Sequence, residues 1–345
     1  MPATIKDVAR VAGCSIKTVS RVINSEPNVT AETRHKVQAA IRSVGYAPNI
    51  SARRLVQNKS YILCILMYPG FYQPASEILS RIMDVGYEEN YDVLIQPYTP
   101  SHPSSRKKLV NLIYEHRIDG VITTPPIDAD DFVADMLSTY KVPQVQINPF
   151  TRSAAIPFIA GDDAQGAYAM TEYLIDLGHR RIAFIMGPAN MRPAFDRLSG
   201  YRAALDARHI PYDEGLVRHS EWTFEGGLNA ARALLAGPDL PQAIFAANDE
   251  TAFGAMYAAQ ERGHRIPEQL SVCGYEDIRF SNNMWPGLTT VHQPTEELVD
   301  MASRTLINVL KGKSLESPGM VLPAKLVIRQ STGRASRLPN ETGTT

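Results

Sequence analysis

The stretch SIKTVSRVIN, Ser15 to Asn24, decides the reading of the N-terminal segment and, through it, of the whole chain. Ser15 is a helix-capping residue type, and Val19, Val22 and Ile23 recur at the spacing of one helical face. Lys17 and Arg21 stand four apart on another face. Two readings are open from these ten residues alone: an amphipathic helix with a solvated basic side, or a helix that lies against DNA.

The flanking sequence separates them. Thr4 is positioned to cap a helix through Ala12, with Asp7 three residues on as a variant capping box and Gly13 as the stop. Thr30 begins a third helix that Gly45 ends and Pro48 cannot extend. Only Gly13 and Cys14 join the first two helices, which suits a helix-turn-helix whose second helix enters the major groove. With Val19, Val22 and Ile23 turned to the core, Ile16, Lys17, Ser20 and Arg21 face outward. Arg21 can offer two hydrogen bonds to guanine, and Ile16 suits a thymine methyl or a sugar edge. Thr18 and Ser20 are short hydroxyl donors suited to phosphate.

Charge is divided the same way. Residues 1–60 carry ten Lys/Arg against three acids, a balance of +7. The remaining 285 residues, with 25 Lys/Arg against 33 acids, balance to −8. A basic head on an acidic body is expected where only the head meets a polyanion.

The pieces DVARVAG, S-x-x-TVSRVIN, V-x-x-x-TR-x-x-V and GY-x-PN, in this order and at these spacings, resemble the headpiece of the lactose-repressor/galactose-repressor (LacI/GalR) family of bacterial transcription regulators. The resemblance implies that Ile16, Lys17 and Arg21 read bases. Thr4, Ser15, Thr18, Ser20 and Asn24 in the head, with Asn49, Ala52, Arg53 and Leu55 beyond it, complete the expected DNA-contact set.

The linker NISARRLVQNKS, residues 49–60, is short, basic and weakly helical. Such a peptide cannot nucleate a helix by itself and is expected to fold on binding. Leucine flanked by arginines suits a minor-groove wedge, although a plain tether is the simpler reading of the residues alone. The resemblance implies a hinge helix that pairs with its twin, with Leu55 as the wedge.

Beyond residue 60, apolar runs alternate with helical stretches. YILCILM (61–67), GVITT (120–124), RIAFIMG (181–187) and AIFAAN (243–248) are examples of candidate strands. The alternation predicts an α/β body of parallel sheets flanked by helices, too many units for one sheet and hence two lobes. LGHRRIAFIMGP, FDRLSGYRAAL, AIFAANDETAFGAM and IPEQLSVCGYEDIRFSNNMWPGLTTVHQP resemble the same family's two-lobed, periplasmic-binding-protein-like core. The expected organisation is a helix-turn-helix headpiece over 1–48 and a hinge helix over 49–60. The first lobe is 61–161 with 290–321, and the second is 162–289 with 322–333. A disordered tail, 334–345, has no leucine heptads to support a tetramer.

Ligands in such folds sit at the carboxyl ends of strands. Asn248 and Asp249 follow a strand; Asp249 is read equally as a helix N-cap. Arg197 is either a ligand contact or a lobe-packing ion pair, and Trp222 either a sugar-stacking face or core. The resemblance implies effector contacts for Arg197, Trp222, Asn248, Glu276 and Asn148. Phe71 and Tyr72 follow the first strand, where the family usually has a different turn. Family members usually carry Asp where this chain has Glu276, which puts a carboxylate about 1.5 Å further out.

No GxSxG elbow, GxxxxGK[ST] loop or HExxH pair is present, and the eight histidines show no ligand spacing. The three cysteines are far apart. The expectation is a cytoplasmic, non-enzymatic homodimer without metal, cofactor or membrane segment. It would bind a palindromic double-stranded DNA operator and a small-molecule effector, a sugar or glycoside.

Overall fold

The computed structural model describes residues 3–23, 28–46, 59–69, 75–100, 102–116 and 118–335. Asn24, Asn49, Ala52, Arg53, Leu55, Phe71 and Tyr72 lie outside them, as do the tail residues from 336. Two compact units are formed, Met1–Ser60 and Tyr61–Thr345.

In the first unit, α1 (Ile5–Ala12), α2 (Ile16–Ile23) and α3 (Ala31–Val44) pack together. Their ends are set locally. Asp7 accepts hydrogen bonds from the Thr4 N–H at 3.0 Å and the Thr4 hydroxyl at 2.7 Å. Gly13 turns left-handed at φ 65 and closes α1, as Gly45 does for α3 at φ 62. Ser15 Oγ accepts the Thr18 N–H at 3.1 Å, so it caps α2 as its position suggests. Val8, Val19 and Val37 are wholly buried, with Ala9, Val22 and Ala40 beside them. Each such valine contributes about 1.5 kcal/mol, so this small core depends on every one of them.

The second unit holds two parallel sheets. The first contains β1 (Ile62–Met67), β2 (Asp92–Pro97), β3 (Gly120–Thr123), β4 (Gln144–Ile147), β5 (Phe158–Gly161) and the late strand β11 (Gly319–Leu322). Its order is β11-β5-β4-β3-β1-β2. Helices α4 (Ala75–Glu89), α5 (Pro103–His116) and α6 (Asp131–Thr139) alternate with its strands. β1 shows why the sequence folds so: Leu63, Ile65 and Met67 enter one core cluster, and Cys64 and Leu66 another. A strand buried on both faces must be apolar throughout.

The second sheet, order β7-β6-β8-β9, contains β6 (Ile182–Met186), β7 (Val217–His219), β8 (Ala243–Ala246) and β9 (Ser271–Cys273). Helices α7 (Asp163–Asp176), α8 (Arg192–Ala207), α9 (Phe224–Leu234) and α10 (Asp249–Glu261) belong with it. A two-stranded antiparallel ribbon, β10 (Thr290–His292) with β12 (Lys325–Val327), lies outside both sheets. The last helix, α11 (Thr295–Leu310), returns to the first sheet and packs on α4, β3, β4 and β5. The chain thus leaves the first sheet after β5 and rejoins it through α11 and β11.

Candidate functional site

On the head, α2 buries the two valines its spacing turns inward and leaves its first turn exposed. Val19 and Val22 are buried, whereas Ile16 is 45 % exposed and Lys17 is exposed beside it. Arg21 and Ser20 are half-buried. Thr18 is less free than its residue type suggests, because its hydroxyl meets that of Ser15 at 2.9 Å. Thr4 is exposed, with its hydroxyl on Asp7.

In the body, a cavity of about 640 Å³, its open mouth included, collects residues from both sheets. Four of the effector residues named from sequence line it: Asn148 after β4, Arg197 on α8, Trp222 before α9, and Glu276 after β9. Three of these four have a left-handed backbone: Asn148 at φ 49, Trp222 at φ 58 and Glu276 at φ 111. Non-glycine residues tolerate that region only when their surroundings impose it, and such strain clusters at ligand sites.

The surroundings are specific. Asn148 Oδ1 accepts the Gly161 N–H at 2.8 Å. Gly187, after β6, leaves the space that the indole of Trp222 fills: a Cβ there would stand 1.9 Å from the indole nitrogen. Arg197 is buried, donates from Nε to Asp163 at 2.8 Å, and stands 3.8 Å from Glu276. Its guanidinium lies 3.9 Å from the Tyr275 ring centroid and 5.4 Å from that of Trp222. Arg197 is therefore both an ion-pair partner and a cavity wall, and the two sequence readings are not exclusive. Burial pushes the Glu276 carboxyl up to about 8 against the pull of Arg197.

Asn248 and Asp249 do not line this cavity. Asn248 is the N-cap of α10, accepting the Thr251 N–H at 3.0 Å, and its amide donates to the Trp222 carbonyl. The cap role considered for Asp249 thus belongs to its neighbour. Asp249 is wholly buried and accepts from the Ile278 N–H at 2.9 Å and from the hydroxyls of Ser281 and Thr290. Burial lifts it to about 6 in spite of those three donors. It joins α10 to the strand that leaves the second sheet.

Sequence reading missed Gln293 and Thr295 at the α11 entry, Thr124, and the aliphatic liners of the first sheet. Asp163 is the Arg197 partner, and its neighbour Asp162 caps α7. Among the described residues, no group of three or more His, Cys, Asp or Glu could hold a metal ion, and no helix is long and apolar enough to cross a membrane.

Residues 4–49 match the model of bacterial regulatory proteins of the lacI family, and residues 171–332 match a periplasmic binding protein-like domain. The chain is 32 % identical over 335 residues to the HTH-type transcriptional regulator DegA of Bacillus subtilis (strain 168), covering 96 % of this chain and 98 % of that protein. It is 33 % identical over 332 residues to the ribose operon repressor of Escherichia coli (strain K12), covering 95 % and 99 %. The chain belongs to the lacI family. Its head is accordingly the family's DNA-binding helix-turn-helix, and its body has the periplasmic-binding-protein-like fold. A lac repressor dimer solved on operator with the anti-inducer ONPF superposes with a TM-score of 0.78 at 30 % identity, over 96 % of this lacI-family chain and all of that one. The resemblance drawn from the headpiece motifs therefore holds along nearly the whole length.

Proposed function

We propose that this regulator is a homodimeric repressor of carbohydrate-utilisation genes, released from a palindromic operator when a sugar or glycoside occupies the body cavity. The observation that carries the reading is the cavity itself. Asn148 from one sheet and Arg197, Trp222 and Glu276 from the other converge on it, three of them in a backbone conformation that only their surroundings hold.

The lobes at 61–161 with 290–321 and at 162–289 with 322–333 turn against each other, and ligand bridging them sets their angle. In a dimer that angle sets the spacing of the two 49–60 segments. Those segments pair and fold in the minor groove, with Leu55 as wedge, only at one spacing. Ile16, Lys17 and Arg21 read the half-site. Asn248 and Asp249 hold the site from behind. Catalysis has no part in this scheme, and the protein acts in the cytoplasm, where the operator is.

The reading is supported by relatives that are named repressors, one of them of the ribose operon. An electrophoretic shift with palindromic duplexes, with and without a sugar panel, tests it. Salt-sensitive binding that a sugar weakens is expected. No salt-sensitive affinity for any duplex would overturn it, and a ligand that strengthens binding would reverse the sign to corepression.

A further inference from the structure

Glu276 lines the cavity with a left-handed backbone at φ 111, and Asp277 after it is left-handed as well, at φ 61. Two such non-glycine residues in succession persist only where their surroundings hold them. Here the β10–β12 ribbon and its flanks do so. The Glu276 N–H donates to the Val291 carbonyl at 2.8 Å, and the Gln293 N–H donates to the Glu276 carbonyl at 3.3 Å. Asp277 accepts from Arg329 Nη2 at 2.6 Å and lies 3.2 Å from His292 Nδ1. Arg329, just past β12, also donates from Nη1 to the Leu288 carbonyl at 2.8 Å, and its N–H donates to the Thr289 hydroxyl at 3.0 Å. The Asp277 and Arg329 side chains are only 18 % and 15 % exposed, yet neither lines the cavity.

The ribbon is also a path between the sheets. β10 leads the chain from the second sheet to α11 on the first, and β12 follows β11 on the way back, where the Val272 N–H of β9 donates to the Ser331 carbonyl at 2.9 Å. We propose that Asp277 and Arg329 are positioning residues for the effector: they aim the Glu276 carboxyl into the cavity and tie its backbone to the ribbon, so that a ligand that moves Glu276 moves both connecting strands. This rests on the reading of the cavity as the effector site. A guanidinium that spans two acceptors is a planar, preorganised fork, and this one clamps Asp277 to the Leu288 carbonyl just before β10.

The test needs no effector, so its failure and the failure of the effector reading are told apart. In full-length protein carrying Trp285→Phe, Trp222 is the remaining tryptophan. Its ring lies 5.4 Å from the Arg197 guanidinium, which stands 3.8 Å from Glu276, so its emission follows ionisation of that carboxyl. The charged groups acting on Glu276 are Arg197, Asp249, Asp163 and Glu250. Asp249, lifted to about 6, titrates lower, and burial pushes Cys273 and Tyr275 higher. A transition at about 8 that Glu276→Gln abolishes is expected. Its absence would overturn the proposal, because the carboxyl would not sit where the pair places it. Arg329→Ala is expected to lower the carboxyl's proton affinity about tenfold, as release into water does. Loss of a nearby cation by itself would raise that affinity, so a fall reports lost positioning. Arg329→Lys, which keeps a cation opposite Asp277, should restore most of it. Should Arg329→Ala not fold, Arg329→Met carries the same expectation. An unchanged or raised midpoint in these variants, whatever their stability, would overturn the proposal. Amide exchange in β10 and β12, corrected for its intrinsic pH dependence, should change across the same transition and lose that change in Arg329→Ala. A ribbon indifferent to the transition would contradict the tie.

Discussion

Arg197 Nε lies 2.8 Å from Asp163 Oδ1, and both side chains are only 2 % exposed. Asp163 is the first residue of α7, and Arg197 lies in the second turn of the neighbouring α8. The pair fixes the guanidinium between the Tyr275 and Trp222 rings. A buried charge that loses its partner is costly, whereas the intact pair is nearly neutral for stability. Asp163→Ala should therefore destabilise the body by about 3–5 kcal/mol in urea unfolding. A loss below about 1 kcal/mol would mean that Glu276 or solvent replaces Asp163 at little cost.

Glu276 should make ligand binding pH-dependent. Burial raises its carboxyl to about 8; Arg197 opposes the shift, and Asp249, Asp163 and Glu250 add to it. The group is neutral and a donor below that pH and ionised above it. Affinity for an uncharged ligand that accepts its hydrogen bond should fall as pH rises through about 8. The folded state also holds this proton more tightly than the unfolded chain. Its contribution to stability is therefore lost as pH rises from the ordinary glutamate value of 4.5 to about 8. Glu276→Gln should flatten both trends. An unchanged calorimetric pH profile in that variant would assign the titration elsewhere.

Gly187→Ala tests the seat of Trp222. A Cβ at position 187 would stand 1.9 Å from the indole nitrogen, so the ring must move. Ligand affinity should fall on the order of tenfold, and tryptophan fluorescence should shift. Unaltered affinity with a shifted emission would remove Trp222 from the ligand contacts.

The sequence revealed the head more fully than the cavity, for a physical reason. The head's helices are set by short-range signals: Ser15 and Thr30 as caps, Gly13 and Gly45 as left-handed stops, Val19 and Val22 at helical spacing. The cavity is assembled from residues far apart in the chain. Asn148, Arg197, Trp222 and Glu276 could be named, by resemblance and by their places after strands or near helix starts, and the fold brings them together. The aliphatic liners could not be read. Met67, Ile147 and Leu298 look like any core residue until the packing leaves one side open. Asn248 and Asp249 show a second limit: both residue types can cap, and only the backbone entering α10 chooses Asn248. The short strands β7, β10, β11 and β12 have three or four residues each, too few for a period to show.

Arg21→Ala should lower operator affinity by about 1–3 kcal/mol and relax one base position, as loss of a two-bonded guanine contact does. Binding to a set of operator variants measures this. A uniform loss on all duplexes would make Arg21 a phosphate contact. Ile16→Ala removes an exposed side chain and should leave the head's melting temperature nearly unchanged while weakening the operator.

The central claim is that the body cavity and the DNA head are coupled. Its most direct test is reciprocal titration of the full-length dimer at fixed salt: operator affinity with and without saturating ligand, then ligand affinity with and without saturating operator. The two factors must be equal, and a value of roughly 5–150-fold, each partner weakening the other, is predicted. A factor of one in both directions, with both partners bound, would contradict it.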